Sequence, residues 1–359
     1  MEPQVIHDPD STALEDLCQQ LSGMANSLDA PGAWPSRQLQ LCARYGVFSW
    51  FVPTEFDGQQ WSESDITRGY LSLSAACLTT TFVITQLTGA SRRIAASSNP
   101  SLMRSVLPLL ARGDQFATVG ISHLTTSRRH LAKPVLRAEP TTGGFVLDGF
   151  SPWVTGATHA AHIVTGATMD DGRQVLVLVE TAADGVVVEP PARLVGLSAS
   201  HTGQVTLNRV LIPVDHVLDG PIENVMQQGA GARTGGLQTS TLAVGLATAA
   251  VDYMQREAER RSDLSPPADQ LKSDLQTLRE ELLAAAAGQD QCDAGEIRRR
   301  ANSLVLRSTQ AALASAKGAG YLAGHPAGRW CCEALFFLVW SCPQPVMNAN
   351  LCELAGISI

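Results

Sequence analysis

The hydrophobic period of this chain changes twice, and no single layer of secondary structure accommodates both changes. Up to about residue 115 apolar residues recur at helical spacing; from Phe116 they alternate; from about residue 229 the helical spacing returns. Each period buries a different kind of face, so the pattern predicts an α+β multidomain chain with its strands in the middle. The first change is concentrated in residues 117–155. That stretch opens Ala-Thr-Val-Gly-Ile-Ser-His, runs through a basic, turn-rich segment at 124–134, and ends with Pro-Trp-Val-Thr at 152–155. The ending places a large flat ring and, two residues on, a hydroxyl on one face of a strand.

Before the change, Leu14, Leu17, Leu21 and Met24 mark a first helix closed by Pro31 and Pro35, and residues 36–45 a second that stops at Gly46. Residues 47–58 are a short apolar run ending in a Pro/Gly turn. Ser62-Glu-Ser-Asp65 reads as a helix start, residues 66–96 as one or two buried helices, and residues 101–110 as another helix ended at 112–114. After it, residues 135–139 and 144–148 form a hairpin about a Thr-Thr-Gly-Gly turn. Further strands are predicted at 161–167, 174–180, 185–189 and 204–211, with turn signals at Ile212-Pro213 and Asp219-Gly220. That spacing predicts an antiparallel barrel or sandwich. The last third reads as four helices, at 237–261, 270–287, 296–317 and 329–341, an up-and-down bundle. The expected domains are residues 1–115 (helical), 116–220 (β) and 221–359 (bundle).

Composition removes several functional classes. Acidic residues outnumber Lys plus Arg by 34 to 26, for a net charge of -8, which is the wrong sign for non-specific nucleic-acid binding. No apolar run reaches the roughly 18–20 residues of a membrane span. The polar, acidic start does not read as a signal peptide, so a cytoplasmic protein is expected. The eight cysteines show no metal-ligand spacing and sit mostly in apolar helical contexts, as buried thiols in a reducing compartment would. No metal site is expected.

Six landmarks, in order, resemble the acyl-CoA dehydrogenase family across almost the whole chain. The run from Gly46 to Gly58 is similar to its "Gly-Leu…Pro-Glu-Glu…Gly-Gly", and Leu107 to Asp114 to its "Leu-Pro…Ala-Xaa-Gly-Glu". Leu147 to Ala157 is similar to its "Asn-Gly-Xaa-Lys-Xaa-Trp-Ile-Thr-Asn-Ala" strand, and Gly196 to Pro213 to its substrate-side turn and following strand. Ala243-Val-Gly-Leu-Ala247 and Lys317-Gly-Ala-Gly-Tyr321 resemble two bundle landmarks. The resemblance implies an N-terminal helical domain, a middle β domain and a C-terminal four-helix bundle. It also implies an FAD cofactor, an acyl-CoA or other acyl thioester substrate, and a homodimer or homotetramer. Carried over residue by residue, Ile121 and Ser122 face the flavin pyrimidine, Trp153 packs on the ring, the Thr155 hydroxyl reaches its edge, and Thr126 and Ser127 offer hydroxyls and backbone N–H groups to the pyrophosphate.

The chain departs from the family where chemistry is done. Ser341 occupies the position of the catalytic Glu, and a serine takes no proton without a partner base. Gln255 matches the alternative position of that Glu on the first bundle helix. Glu259, one turn beyond Gln255, is the better-placed substitute, Glu257 lying about 200° round the helix. Gly236 stands for an Arg, Arg261-Ser-Asp-Leu-Ser265 for the dinucleotide-gripping "Arg-Xaa-Xaa-Phe-Gly", Ala314 for a Gln, and residues 123–129 for "Glu-Pro-Gly-Ala-Gly-Ser-Asp". Three functions remain open: an FAD-dependent acyl thioester oxidoreductase, a flavin-dependent monooxygenase of the same fold, and a non-catalytic scaffold or acyl-binding protein.

Overall fold

The computed structural model describes residues 4–125, 134–227, 236–289 and 293–357. Five helices precede the first strand among them: α1 (Thr12–Met24), α2 (Ser36–Arg44), α3 (Glu63–Ala76), α4 (Leu78–Ala95) and α5 (Pro100–Arg112). Their limits follow local chemistry. The Ser11 hydroxyl accepts the Leu14 N–H at the head of α1, Ser62 accepts from Asp65 at the head of α3, and Asn99 accepts from Leu102 at the head of α5. Gly46 and Gly113 follow α2 and α5 in left-handed conformations, at φ 77° and 76°. The apolar run at 66–96 is two helices because Cys77 is extended (φ -159°, ψ 99°) and interrupts the ladder.

The middle of the chain holds β1 (Ala117–Gly120), the single helical turn α6 (Ser122–Thr125), β2 (Leu136–Thr141), β3 (Gly144–Thr155), β4 (His162–Thr168), β5 (Gln174–Glu180), β6 (Val186–Val188), β7 (Thr202–Pro213) and β8 (Val217–Ile222). The strand order is β6-β7-β3-β2-β4-β5-β8, with β1 on β4. The sheet is therefore mixed rather than antiparallel throughout. β1 runs parallel to β4, Ala117 opposite His162 through Gly120 opposite Thr165, and β2 meets β4 in parallel at Arg137 and Thr168. The β2–β3 hairpin lies inside the β1-to-β4 connection, which is long enough for a parallel crossover. Asp219-Gly220 belongs to β8 instead of a turn. Gly220 is at φ 89°, where a Cβ would come within 2.4 Å of the Gln174 carbonyl oxygen.

Both faces of the sheet are used. Val175, Val177 and Val179 of β5 join Leu147, Ala167 and Val205 in a core belonging to the sheet, while Leu176 and Leu178 join the helical core. That helical core is continuous from Leu17 and Leu73 through Leu87 to Leu246, Val305 and Phe337, so helices at the two ends of the chain share one interior.

The last third contains α7 (Leu237–Arg260), α8 (Ser265–Ala286), α9 (Ala294–Gly320), α10 (Pro326–Ala334) and α11 (Gln344–Leu354). The expected 329–341 helix is shorter. α10 ends at Ala334, residues 335–338 tighten into a 3₁₀ turn, and Ser341 sits at φ 47°. Proline 343 then restarts the chain as α11, which the sequence reading did not contain.

α7 lies close against α3. A Cβ on Gly245 would stand 2.5 Å from Ser74 Cβ and 2.8 Å from the Leu71 carbonyl oxygen. The glycine in the Ala243-Val-Gly-Leu-Ala247 landmark is therefore a clearance between two helices. Gly245→Ala is expected to destabilise the fold by about 1–3 kcal/mol through overpacking, despite alanine's better helix propensity. A chemical denaturation midpoint that rises would contradict this.

Candidate functional site

A cavity of about 1190 Å³ lies between α3, α4, the head of α7, the turn after α10 and the edge of the sheet. It gathers five of the residues assigned from the sequence: Ile121, Ser122, Trp153, Thr155 and Ser341. Glu259 is not part of this lining and is exposed on the last turns of α7. Thr126 and Ser127 fall outside the described residues.

The sheet edge is built by a bulge. Along β3 and β7 the pairing jumps from Ser151–Val205 to Val154–Gly203, so Pro152 and Trp153 together face Gln204. Proline lacks the N–H that a regular ladder position would require, and the bulge turns the next residue outward. Trp153 is left 50% exposed with its indole on the cavity, although it is flanked by the buried Val154. Thr155 is held from behind: its hydroxyl bonds Thr202 at 2.8 Å, Thr202 bonds Ser200 at 2.8 Å, and its carbonyl accepts from Thr118 at 2.6 Å. The Ser122 hydroxyl is buried, lines the cavity, and has no partner among the described residues. His123 is turned into the protein, its Nε2–H donating to the Gly166 carbonyl at 2.8 Å. Burial holds its pKa below the ordinary value, with that hydrogen bond acting in the opposite direction.

These residues suit a flat ring that is apolar in the middle and hydrogen-bonding at its edge. The half-exposed indole offers a stacking surface. The unpartnered Ser122 hydroxyl is a buried polar group of the kind that a bound molecule satisfies. A flavin, the cofactor that the sequence resemblance implies, meets both requirements.

Across the cavity, Phe82 of α4 packs edge-on against Phe336 and Trp340, at ring centroid distances of 4.8 and 4.9 Å. Phe336 and Trp340 stack on each other at 4.9 Å. The turn that carries Trp340 and Ser341 is clamped from α9. Arg298 donates to the carbonyls of Trp340 at 2.9 Å and Phe337 at 3.4 Å, and Asn302 donates to Phe337 at 3.1 Å. Burial lowers the Arg298 pKa to about 10, so it remains a cation at neutral pH. Among the described lining residues the one carboxylate is Glu63, engaged by Arg92 at 2.7 Å.

Glu333 is a chemically unusual residue that the sequence reading passed over. It is buried on α10, next to the cavity-lining Cys332 but outside the lining itself, and its carboxylate accepts from Thr79 at 3.0 Å. Burial pushes its pKa up to about 7, against the opposing pull of the Arg329 guanidinium. The available signal was a carboxylate on the core-facing side of a helix whose one other charged residue is Arg329. The folded chain holds this proton more tightly than the unfolded chain, whose ordinary value is 4.5. The stability of the protonated form is therefore complete below about pH 4.5 and is lost as pH rises through about 7. Glu333→Gln keeps an acceptor for Thr79 without the charge. It is expected to be roughly 1–3 kcal/mol more stable than the parent at about pH 8 and nearly equal to it at about pH 4. Parallel urea titrations at the two pH values check the sign.

No protein-family model matches the chain. Among curated proteins it is similar to the probable acyl-CoA dehydrogenase YngJ of Bacillus subtilis, 21% identical over 256 residues that cover 69% of this chain and 67% of that protein. Among solved structures it resembles glutaryl-coenzyme A dehydrogenase in its glutaryl-CoA complex, with a TM-score of 0.81 at 18% identity, covering 97% of this chain and 96% of that one. It also resembles the dibenzothiophene monooxygenase TdsC of Paenibacillus sp. A11-2, with a TM-score of 0.79 at 14% identity and 96% of each chain covered. Both structural likenesses are likenesses of fold. No helix among the described residues is long and apolar enough to cross a membrane.

Proposed function

We propose that this chain is a divergent member of the acyl-CoA dehydrogenase family and an FAD-dependent oxidoreductase acting on an acyl thioester, a reading that its likeness to acyl-CoA dehydrogenases supports. The observation that carries the reading is the single cavity joining Ile121, Ser122, Trp153 and Thr155 to the turn of Ser341. On this reading the chain has three domains, residues 1–115, 116–220 and 221–359, works in the cytoplasm, and assembles as a homodimer or homotetramer.

When bound, a flavin supplies a hydride acceptor. The rest is done by the chain. Trp153 would pack against the ring, and the Ser122 hydroxyl would hydrogen-bond its polar edge. Phe82, Phe336 and Trp340 exclude water from the wall nearest Ser341. Arg298 and Asn302 hold that turn in one position through its carbonyls. Ser341 stands where a proton must leave the substrate, and an unassisted hydroxyl is a poor acceptor there.

That last point favours a second reading within the same fold: flavin-dependent oxygenation, which requires no carboxylate base at this position. The two are separated by incubating the purified chain with FAD, removing unbound cofactor, and titrating anaerobically with acyl-CoA. Retained flavin absorbance that bleaches with an acyl-CoA supports dehydrogenation. Retained absorbance that no acyl-CoA bleaches supports oxygenation, and no retained absorbance overturns both. Trp153→Ala is expected to weaken FAD binding about tenfold, through loss of the stacking surface. Ser341→Glu is expected to raise the anaerobic bleaching rate by about 10²-fold or more, because a positioned general base contributes that much. An unchanged rate with flavin still bound counts against the dehydrogenase reading.

A further inference from the structure

One part of the cavity wall is built from hydroxyl groups, where α3, α4 and the head of α7 meet. Tyr70 of α3 is buried, and its hydroxyl bonds Thr88 of α4 at 2.5 Å. The Gln238 side chain, at the head of α7, also interacts with that phenol. Burial holds the Tyr70 pKa well above its usual value, so the group is neutral. Thr88 lies six residues beyond Phe82, and the level of this cluster is therefore ~9 Å along α4 from the wall formed with Phe336 and Trp340.

Two residues of the cluster are chemically unfinished. Thr67, three residues before Tyr70 on α3, and Thr239, next to Gln238 on α7, both line the cavity and are each 7% exposed. Other threonines on α4 and α7 satisfy their hydroxyls on a carbonyl about one turn back, as Thr85 does on Phe82, Thr88 on Ile84 and Thr241 on Leu237. Neither Thr67 nor Thr239 does so, and neither has another hydrogen-bond partner among the described residues. The charged lining groups on these helices are engaged within the protein: Glu63 meets Arg92 at 2.7 Å, and Arg93 donates to the Gly89 carbonyl at 2.8 Å.

A buried hydroxyl that has left water without gaining a partner is costly, and an unsubstituted alkyl chain in this place would leave two of them facing hydrocarbon. A hydroxyl group on the substrate can accept from one threonine and donate to the other. We propose that Thr67 and Thr239 form a subsite for a neutral hydroxyl, and that the preferred acyl thioester is hydroxylated toward the end remote from its thioester. The inference rests on the acyl thioester reading above for the direction in which the substrate lies. It is tested by binding, so that its failure is distinct from failure of the flavin chemistry.

The experiment uses the full chain incubated with FAD and compares, by titration calorimetry, hexanoyl-CoA with 6-hydroxyhexanoyl-CoA and decanoyl-CoA with 10-hydroxydecanoyl-CoA. At one length or the other the hydroxylated thioester is expected to bind at least fivefold more tightly than its plain counterpart. The charged analogues of the same lengths, adipoyl-CoA and sebacoyl-CoA, are expected to bind more weakly than the hydroxylated thioesters. Replacing both threonines by the isosteric valine, Thr67→Val with Thr239→Val, is expected to remove the preference. Either single substitution is expected to reduce it by a smaller factor and decides the matter if the double variant does not fold, whereas Thr67→Ser, which keeps the hydroxyl, is expected to retain it. Equal affinities within both pairs, as would follow if the threonines only hold water, overturn the proposal. So does tighter binding of a charged analogue, or a preference that survives loss of both hydroxyls. In each of those cases a yellow protein that still binds the plain thioesters leaves the flavin reading standing, while no binding by any of the thioesters overturns the acyl thioester reading and this subsite with it.

Discussion

α7 lies against α3 closely enough that a Cβ on Gly245 would stand 2.8 Å from the Leu71 carbonyl oxygen, and both helices contribute walls to the cavity. These helices are separated by nearly half the chain, yet their apolar faces belong to one core that also takes in α4, α9 and the turn after α10. Helix faces brought this close leave no room for a side chain at the crossing, and the cavity is bounded by α4 from Phe82 to Arg93, the head of α7 and the sheet edge. Loosening the crossing would move the Thr239–Thr241 wall away from the Tyr70 wall.

The sheet contributes a different kind of precision. A regular strand alternates its side chains, and a large indole in such a strand would be either fully buried or turned away from its neighbours. The bulge at Pro152-Trp153 breaks the alternation once, presenting the ring to the cavity while Val154 stays in the sheet core. The hydroxyls of Thr118, Thr155, Ser200 and Thr202 bond one another or nearby carbonyls, so that edge is internally satisfied. Ser122 and Ser151 are exceptions, their buried hydroxyls having no partner among the described residues, and of the two only Ser122 is in the cavity lining.

Charge is distributed unusually for a site that is expected to abstract a proton. Ser341 is neutral, the Arg298 cation is buried behind its turn, Arg93 is buried in the far wall, and the only lining carboxylate described is tied to Arg92. The buried carboxylate of Glu333 lies one residue beyond the lining and bonds Thr79.

Much of this was legible in residues alone. Helix limits marked by Ser11, Ser62, Gly46 and Gly113 are local chemistry, and the Trp153–Thr155 pair is two-residue periodicity; both are written in adjacent positions. The ordered landmarks pointed to the fold for the same reason, since each is a short segment with its own backbone requirement. What depended on distant segments meeting was not legible. The parallel pairing of β1 with β4 depends on how the β2–β3 hairpin is accommodated, and the turn that follows α10 is fixed by the grip of Arg298 and Asn302 on the Phe337 and Trp340 carbonyls. Burial of Glu333 and Arg93 is likewise decided by which helices cover them. A charged side chain in a helical pattern looks the same whether its face meets solvent or a cavity, and only the tertiary structure sets that difference, through the dielectric and the partners it supplies.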